Sequence, residues 1–150
     1  MTARVNLSKQ LPASYKALVE LDKVVEAAAE EAGLDALLIN LVKIRTSQIN
    51  GCAFCLRMHT RDALEHGETT DRLAVVAAWG ESQYFTAEEE AALALAEGIA
   101  RMEAAPLTDQ RYAEIAEVLD ERRIAAISWV AITINAWNRV AVNSHYPVHA

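Results

Sequence analysis

Apolar residues recur every three or four positions along most of the chain, which is the period of an amphipathic α-helix. In the first such segment, residues 12–32, the apolar face is formed by Leu18, Leu21, Val25 and Ala28. The opposite face is expected to be exposed to solvent and carries Lys16, Glu20, Lys23, Glu26 and Glu30. No segment alternates apolar and polar residues as a half-buried β-strand would. The pattern predicts an all-α fold, a bundle of about six or seven helices.

Turn and capping residues divide this pattern into separate helices. The predicted helices are residues 12–32, 35–49, 52–66, 69–79, 86–105, 108–119 and 122–142. Gly33, Gly51 and Gly67 are placed to end the first three, because glycine readily adopts the left-handed conformation found at helix C-termini. Thr86 and Glu89 form a capping-box pattern at the start of the fifth helix. The last helix is apolar around much of its circumference, which predicts that it is buried on most sides.

Composition and charge limit the classes of function. At 150 residues the chain is most simply one domain, residues 1–150, and is long enough to bury a core. The formal net charge of −7 argues against a general nucleic-acid binder and gives no support for binding to anionic membranes. No stretch of about 18 uncharged apolar residues predicts a membrane span, and the first residues lack the apolar run of a secretory signal. We therefore expect a cytoplasmic protein, in which residues 1–10 form a short arm able to cross to a neighbouring subunit.

Residues 50–59, Asn-Gly-Cys-Ala-Phe-Cys-Leu-Arg-Met-His, contain both cysteines of the chain and one of its four histidines. Cys52 and Cys55 are three positions apart and His59 follows four later, so all three lie on one face if the segment is helical. The turn at 50–51 places the dithiol at a helix N-terminus, whose partial positive charge favours a thiolate. A neighbouring thiol and an imidazole add a hydrogen-bond donor and a proton acceptor. The spacing therefore favours a reactive cysteine pair that can form a disulfide.

Two other interpretations of the Cys-x-x-Cys pattern stay open on spacing alone. The pair is also compatible with half of a metal site, or with two incidental buried cysteines. For zinc, the ligands would have to come from His59, His66, His145 and His149, and none of these forms a recognised second pair. A thioredoxin-like interpretation fits poorly, because no β-strand precedes the motif. In a reducing compartment a redox-active or metal-binding pair is favoured over a structural disulfide.

The same stretch resembles the AhpD-like alkylhydroperoxidases of the carboxymuconolactone decarboxylase-like superfamily. The similarity is carried by residues 41–60 with Ala63 and Gly67, by Trp79 with 85–89, by 94–97 and by 134–139. It extends over residues 15–142. The resemblance implies an all-helical fold that assembles into homo-trimers or homo-hexamers, and an antioxidant activity toward hydroperoxides. It implies no metal or organic cofactor.

The resemblance also implies a role for each residue of the motif. Cys55 would be the peroxidatic thiolate that attacks the O–O bond of the hydroperoxide. Cys52 would resolve the resulting sulfenic acid as a disulfide and meet a thiol or protein reductant, and His59 would belong to the proton relay that activates Cys55. Two positions depart from the family pattern: Asn40 stands where the relay often has a glutamate, and Phe54 stands where well-known members have a histidine. Both residues are candidates for lining the site.

Two classes of function follow from these observations. The leading hypothesis is a cysteine peroxidase or thiol-disulfide oxidoreductase that acts on hydroperoxides. The alternative is a non-enzymatic oligomer that senses redox state or binds a partner through the same dithiol, and the absence of glutamate at position 40 favours this alternative somewhat. A metal-binding site is a third and weaker interpretation.

Overall fold

The computed structural model describes residues 3–150, and all of the regular secondary structure in this range is helical. Its eight α-helices are α1 (Leu7–Gln10), α2 (Pro12–Glu31), α3 (Ala36–Asn50), α4 (Ala53–Glu65), α5 (Thr70–Val75), α6 (Ala87–Ala100), α7 (Asp109–Val118) and α8 (Glu121–Ser144). A 3₁₀ helix, Val76–Glu81, continues from α5. The all-α prediction is confirmed, and the fourth predicted helix corresponds to α5 and the 3₁₀ helix together. Among residues 3–150, no helix has the length and apolar character needed to cross a membrane.

The N-terminal segment differs from the predicted arm. Residues 1 and 2 of that arm lie outside the described residues, and the rest folds onto its own chain. The Leu7 amide donates a hydrogen bond to Ser144 Oγ at 3.1 Å, and Arg4 Nη1 donates to the Val142 carbonyl at 3.0 Å. These bonds hold the start of α1 against the end of α8. Residues 4–10 therefore make a contact within the chain, because α8 continues to Ser144 and offers these acceptors, and the contact to a neighbouring subunit stays a prediction.

Capping interactions confirm the predicted starts of α3 and α6 and the predicted end of α3, whereas α6 ends at Ala100, before its predicted end at residue 105. Asp35 Oδ1 accepts the Leu38 amide at 2.8 Å at the start of α3. At the start of α6, Thr86 accepts the Glu89 amide while the Glu89 carboxylate accepts the Thr86 amide, so both halves of the capping box are present. Gly51 has φ 65° and ends α3 in the left-handed conformation. Gly51 alone separates the end of α3 from Cys52, the N-cap residue of α4, so this turn positions the cysteine pair.

Helix α3 lies at the centre of the fold. Its residues 38–47 are all buried, because α3 packs against α4, α6 and α8.

The last helix, α8, was predicted to be buried on most sides, and this prediction needs a correction. On α8 the side facing α2, α3 and α6 is buried, but Trp129 and Ile132 are 50% and 44% exposed. Within the described residues no helix covers this strip, so an apolar circumference did not imply burial on most sides.

Two charged residues of α3, Lys43 and Arg45, are buried, and Arg45 forms an ion pair inside the core. Arg45 is 6% exposed, and its Nε donates to Glu97 Oε1 of α6 at 2.7 Å. The same carboxylate oxygen accepts the Trp79 Nε1 hydrogen at 2.9 Å. Glu97 therefore connects α3, α6 and the 3₁₀ helix, and removing it would leave a buried guanidinium without its counter-charge.

Glu97→Ala is expected to lower the free energy of unfolding by about 3 kcal/mol, because breaking a buried ion pair by removing one partner leaves an uncompensated charge. Urea denaturation followed by circular dichroism measures this change. Glu114→Ala is the matched control, since it removes a carboxylate whose pair with Arg111 is exposed, and it should leave the unfolding midpoint near that of the wild type. A Glu97→Ala midpoint equal to that of the control would contradict a stabilising role for the Arg45–Glu97 pair.

Candidate functional site

The local sequence places the two cysteines on the first turn of α4. After the Gly51 turn, the Cys52 amide donates to the Ser47 carbonyl of α3 at 3.0 Å. Cys52 is the N-cap residue of α4, and its Sγ accepts the Cys55 amide at 3.4 Å. A sulfur in this position faces the unpaired amides and the positive end of the helix dipole. The predicted placement of the dithiol at a helix N-terminus is confirmed.

The two cysteines are free thiols whose sulfur atoms are 2.8 Å apart. A disulfide bond is about 2.05 Å long, so the sulfurs are unbonded but need only a small displacement to form one. Cys52 is 1% exposed and Cys55 is 2% exposed. The pair is therefore arranged for disulfide formation inside the protein, away from bulk solvent.

One proton is shared between the two sulfurs. The pKa of Cys52 is lowered to about 6, chiefly because the Cys55 thiol donates a hydrogen bond to it. The pKa of Cys55 is raised, first because it holds that proton for Cys52 and then because it is buried. At neutral pH the pair carries one negative charge, which rests mainly on Cys52 in this geometry. The thiolate can pass to Cys55 only when the proton crosses to Cys52.

His59 is an uncharged base beside this pair. Its side chain is 8% exposed, and Nδ1 lies 3.3 Å from Asp62 Oδ2 without the alignment of a hydrogen bond, so Nδ1 has no hydrogen-bond partner among residues 3–150. The pKa of His59 is lowered to about 4, first by burial and then by repulsion from the Lys43 ammonium. At neutral pH the imidazole can therefore accept a proton but has none to give as an imidazolium.

A layer of amide side chains lies beneath the dithiol and was not assigned a role from the sequence. Asn138 of α8 is 1% exposed and donates to Ser47 Oγ at 3.0 Å. Asn50 Nδ2 donates to the Oδ1 atoms of Asn135 at 2.8 Å and Asn138 at 2.9 Å. The Asn138 side chain also lowers the pKa of both cysteines by hydrogen bonding. In the sequence, this layer was indicated by Asn135 and Asn138, two polar residues three positions apart in the otherwise apolar α8.

The two sulfurs face different cavities. The Cys55 cavity, of about 340 Å³, is lined by Tyr15, Val19, Asp22, Lys43, Phe54, Cys55, Met58, His59, Ile134, Trp137, Ala141 and Tyr146. The Cys52 cavity, of about 270 Å³, is lined by Arg4, Gly51, Cys52, Ala53, Phe54, Ala141, Val142, His145, Tyr146 and Val148. Phe54 and Tyr146 border both cavities and pack edge to face, with ring centroids 5.1 Å apart. The dithiol therefore lies between a largely apolar space and a second space bordered by the C-terminal tail.

Three charged side chains of the Cys55 cavity region were not assigned a role from the sequence. Lys43 is buried, with a side chain that is 9% exposed, and its Nζ pairs with Glu26 of α2. Glu26 was expected on the solvent-facing side of its helix, and its side chain is 45% exposed, but its pairing with Lys43 was not predicted. Asp22, one turn earlier on α2, also lines the cavity, and its pKa is raised chiefly by burial. In the sequence, this charged cluster was indicated by Lys43, a lysine within the apolar run of α3.

The structure separates the predicted site residues into two groups. Cys55, His59 and Phe54 line one cavity, and Cys52 lines the other together with Phe54. Asn40 lines neither of these cavities; its Nδ2 donates to the Ala36 carbonyl of its own helix at 3.0 Å. Within the described residues no three His, Cys, Asp or Glu side chains are grouped to hold a metal ion.

Comparisons with known proteins show the family and the fold of this chain. The family model described as carboxymuconolactone decarboxylase matches residues 12–98. The uncharacterized protein YdfG of Bacillus subtilis strain 168 is 34% identical over 142 residues, which cover 95% of this chain and 94% of YdfG. ATU0492 of Agrobacterium tumefaciens, a protein of unknown function whose crystal structure is described as that of a candidate antioxidant defence protein AhpD, superposes with a TM-score of 0.86. It is 29% identical, and the match covers 99% of this chain and 100% of that structure.

The shared proton predicts how the thiols titrate. Ultraviolet absorbance of the reduced protein should show one thiolate appearing with a midpoint near the Cys52 pKa of about 6. Cys55→Ala removes the thiol that donates to Cys52, so the midpoint should rise toward the ordinary thiol range of about 8.5. An exposed substitution such as Met102→Ala is the control and should leave the midpoint unchanged. If Cys55→Ala titrates like the wild type, the sulfur–sulfur hydrogen bond does not set the Cys52 pKa.

Proposed function

Because the chain belongs to the carboxymuconolactone decarboxylase family, we propose that it is a dithiol peroxidase that reduces organic hydroperoxides through Cys52 and Cys55. One observation carries this proposal. Two free thiols at a helix N-terminus have sulfurs 2.8 Å apart and share one proton. This is the arrangement needed for a thiolate to attack an oxidant and for its neighbour to close a disulfide.

In the proposed cycle the hydroperoxide binds in the Cys55 cavity. This cavity is walled mainly by aromatic and aliphatic side chains, which suit an apolar organic group. The proton moves from Cys55 to Cys52 across 2.8 Å, and the Cys55 thiolate then attacks the terminal oxygen of the hydroperoxide. The O–O bond breaks, Cys55 becomes a sulfenic acid and the alcohol leaves. Neutral His59, in the same cavity, supports the thiolate by accepting the proton when Cys52 does not hold it.

The second half of the cycle takes place on the Cys52 side. Cys52 attacks the sulfenic sulfur of Cys55, releasing water and forming the disulfide. A thiol or protein reductant then exchanges with the disulfide through the Cys52 cavity, which Arg4 and His145 border. Since Phe54 and Tyr146 stand between the two cavities, the oxidant and the reductant reach different sulfurs. This separation supports the assignment of attack to Cys55 and resolution to Cys52.

A second candidate function is a non-enzymatic redox sensor or partner-binding oligomer. The position of Asn40 favours it, because an amide cannot act as a base at neutral pH and this one is directed to its own helix. The burial of both sulfurs also favours slow oxidation. In this case the disulfide would change the contacts of the C-terminal tail, such as the bond from Arg57 Nη1 to the His149 carbonyl, rather than turn over peroxide. The rate of thiol oxidation separates the two functions.

We propose further that residues 1–150 act as one domain that assembles into a homo-trimer or homo-hexamer. Support comes from an apolar groove of about 360 Å³ between α2 and α8. Val24 and Trp129, which line it, are 66% and 50% exposed in the single chain. Side chains of this kind are enriched at subunit interfaces and depleted on isolated surfaces.

Single-turnover oxidation tests the roles of the two sulfurs. The reduced protein should lose two thiols for each organic hydroperoxide added, faster than free cysteine does. Cys55→Ser should abolish the reaction, while Cys52→Ser should stop at a sulfenic acid that a dimedone probe traps. Slow oxidation of the wild type would instead support the redox sensor. A sulfenic acid trapped on Cys52 in the Cys55→Ser protein would show that the roles are reversed.

Light scattering coupled to size exclusion tests the assembly. Val24→Glu and Trp129→Glu each place a carboxylate in the groove and should shift a trimer or hexamer toward smaller species, because burying an unpaired charge is costly. Glu30→Gln, an exposed change on the same helix, is the control. A wild-type protein that elutes as a monomer, or variants that keep its oligomeric mass, would contradict the proposed interface.

A further inference from the structure

The proposed peroxidase step needs an acid that the family pattern does not supply in this chain. When the Cys55 thiolate attacks a hydroperoxide, the leaving oxygen departs as an alkoxide unless it receives a proton. His59 is neutral at physiological pH, so it has no imidazolium proton to give. Asn40 stands where a relay glutamate is expected, and it is bonded to Ala36 instead of facing the cavity. When Cys52 holds the thiol proton, another group in the Cys55 cavity must therefore protonate the leaving oxygen.

Lys43 has the position and the chemistry for this role. It is the one lysine or arginine among the described residues that line the Cys55 cavity, which also holds the attacking sulfur and His59. Its ammonium carries three N–H donors, and Glu26 accounts for the hydrogen bond that it makes among residues 3–150. Among residues 3–150 the other two donors have no hydrogen-bond partner, and Lys43 lines the cavity in which a substrate would meet them. The Glu26 carboxylate is 45% exposed, so the pair extends from the buried cavity to solvent.

We propose that Lys43 is a catalytic residue that donates a proton to the leaving oxygen of the hydroperoxide, with Glu26 holding its ammonium in place. This inference rests on the proposed peroxidase function and adds a residue to it. It assigns a chemical task to a buried charge that the helix-packing pattern alone does not explain. Positive charge at the point where negative charge develops also lowers the barrier to O–O cleavage.

The proton balance of the cycle closes with this assignment. At the start Cys52 holds a proton, Cys55 is a thiolate and Lys43 is an ammonium. Attack forms the S–O bond and breaks the O–O bond; the sulfenic acid keeps the terminal OH, and the leaving oxygen takes a proton from Lys43 to give the alcohol and a neutral amine. Cys52 then attacks the sulfenic sulfur, its proton leaves with the hydroxyl as water, and the disulfide forms. Lys43 regains its proton from solvent along the exposed side of Glu26.

Asp22 is the competing acid in this cavity. Its carboxyl lines the same space, and burial raises its pKa, which increases the fraction that carries a proton. It lies one turn before Glu26 on α2, so it also contributes negative charge near Lys43. The experiment must therefore compare the two residues directly rather than rely on the loss of activity in one variant.

The dependence of rate on the leaving group tests the assignment. Single-turnover oxidation of Cys55 is measured with tert-butyl hydroperoxide, whose alkoxide is strongly basic, and with peracetic acid, whose acetate leaving group needs no proton. Lys43→Met should slow the reaction with tert-butyl hydroperoxide by about 100-fold, the scale of lost general acid catalysis, and leave that with peracetic acid nearly unchanged. Lys43→Gln is the second variant if the methionine protein does not fold, because its amide can still bond to Glu26. Lys23→Met, which removes an exposed lysine paired with Glu20, is the control.

Two further variants separate proton donation from charge and from Asp22. Lys43→Arg keeps the charge, but a guanidinium does not release its proton in proteins, so this variant should stay slow with tert-butyl hydroperoxide. Full activity of the arginine variant would overturn proton donation. So would equal slowing of Lys43→Met with both oxidants, or a leaving-group-selective loss in Asp22→Asn alone. A wild type that reacts slowly with tert-butyl hydroperoxide would refute the peroxidase function and this inference together, whereas a fast wild type with an unchanged Lys43→Met refutes only the inference.

Discussion

The proton shared between two buried sulfurs is the interaction on which the rest of this structure depends. It requires the sulfurs to be within hydrogen-bonding distance at the start of a helix, and three elements meet to achieve this. The left-handed turn at Gly51 brings α3 into α4, the Cys52 amide is bonded back to Ser47, and Asn138 of α8 lies under both thiols. The turn is held in place because α3, whose residues 38–47 are buried, packs among α4, α6 and α8.

Local signals in the sequence were sufficient for the cysteine pair and for the helices other than α1, which was predicted as part of an arm, because caps, glycine stops and an i, i+3 spacing act over a few residues. Asp35, Thr86 and Gly51 each end or begin a helix where the pattern indicated. The remaining site residues come from elsewhere in the chain. Asn138 reaches Ser47 across 91 positions, and Lys43 pairs with Glu26 across 17. Helical periodicity identifies the face of a residue but not the helix that packs on it, so these partners could not be predicted.

Lys43 and Arg45 show why two similar features of one helix have different consequences. They are two residues apart on α3 and therefore point to nearly opposite sides of it. Arg45 faces α6, where the Glu97 carboxylate accepts from its guanidinium and from the Trp79 indole within the core. Lys43 faces α2 and the Cys55 cavity, where Glu26 is the one hydrogen-bond partner of its three N–H donors among residues 3–150. The sequence analysis assigned a role to neither residue, and only their surroundings distinguish a structural ion pair from a group available to a substrate.

The aromatic pair of Phe54 and Tyr146 has a consequence for how such a protein can evolve. In the proposed cycle the oxidant and the reductant never occupy the same space, since the two rings border both cavities and only a proton and electrons pass between the sulfurs. Substitutions at Tyr15 or Val19 alter one space, and substitutions at Arg4 or Val148 alter the other. Selection can therefore change the peroxide that is accepted without disturbing the electron donor, and a lineage can adopt a new donor while it keeps its old substrate.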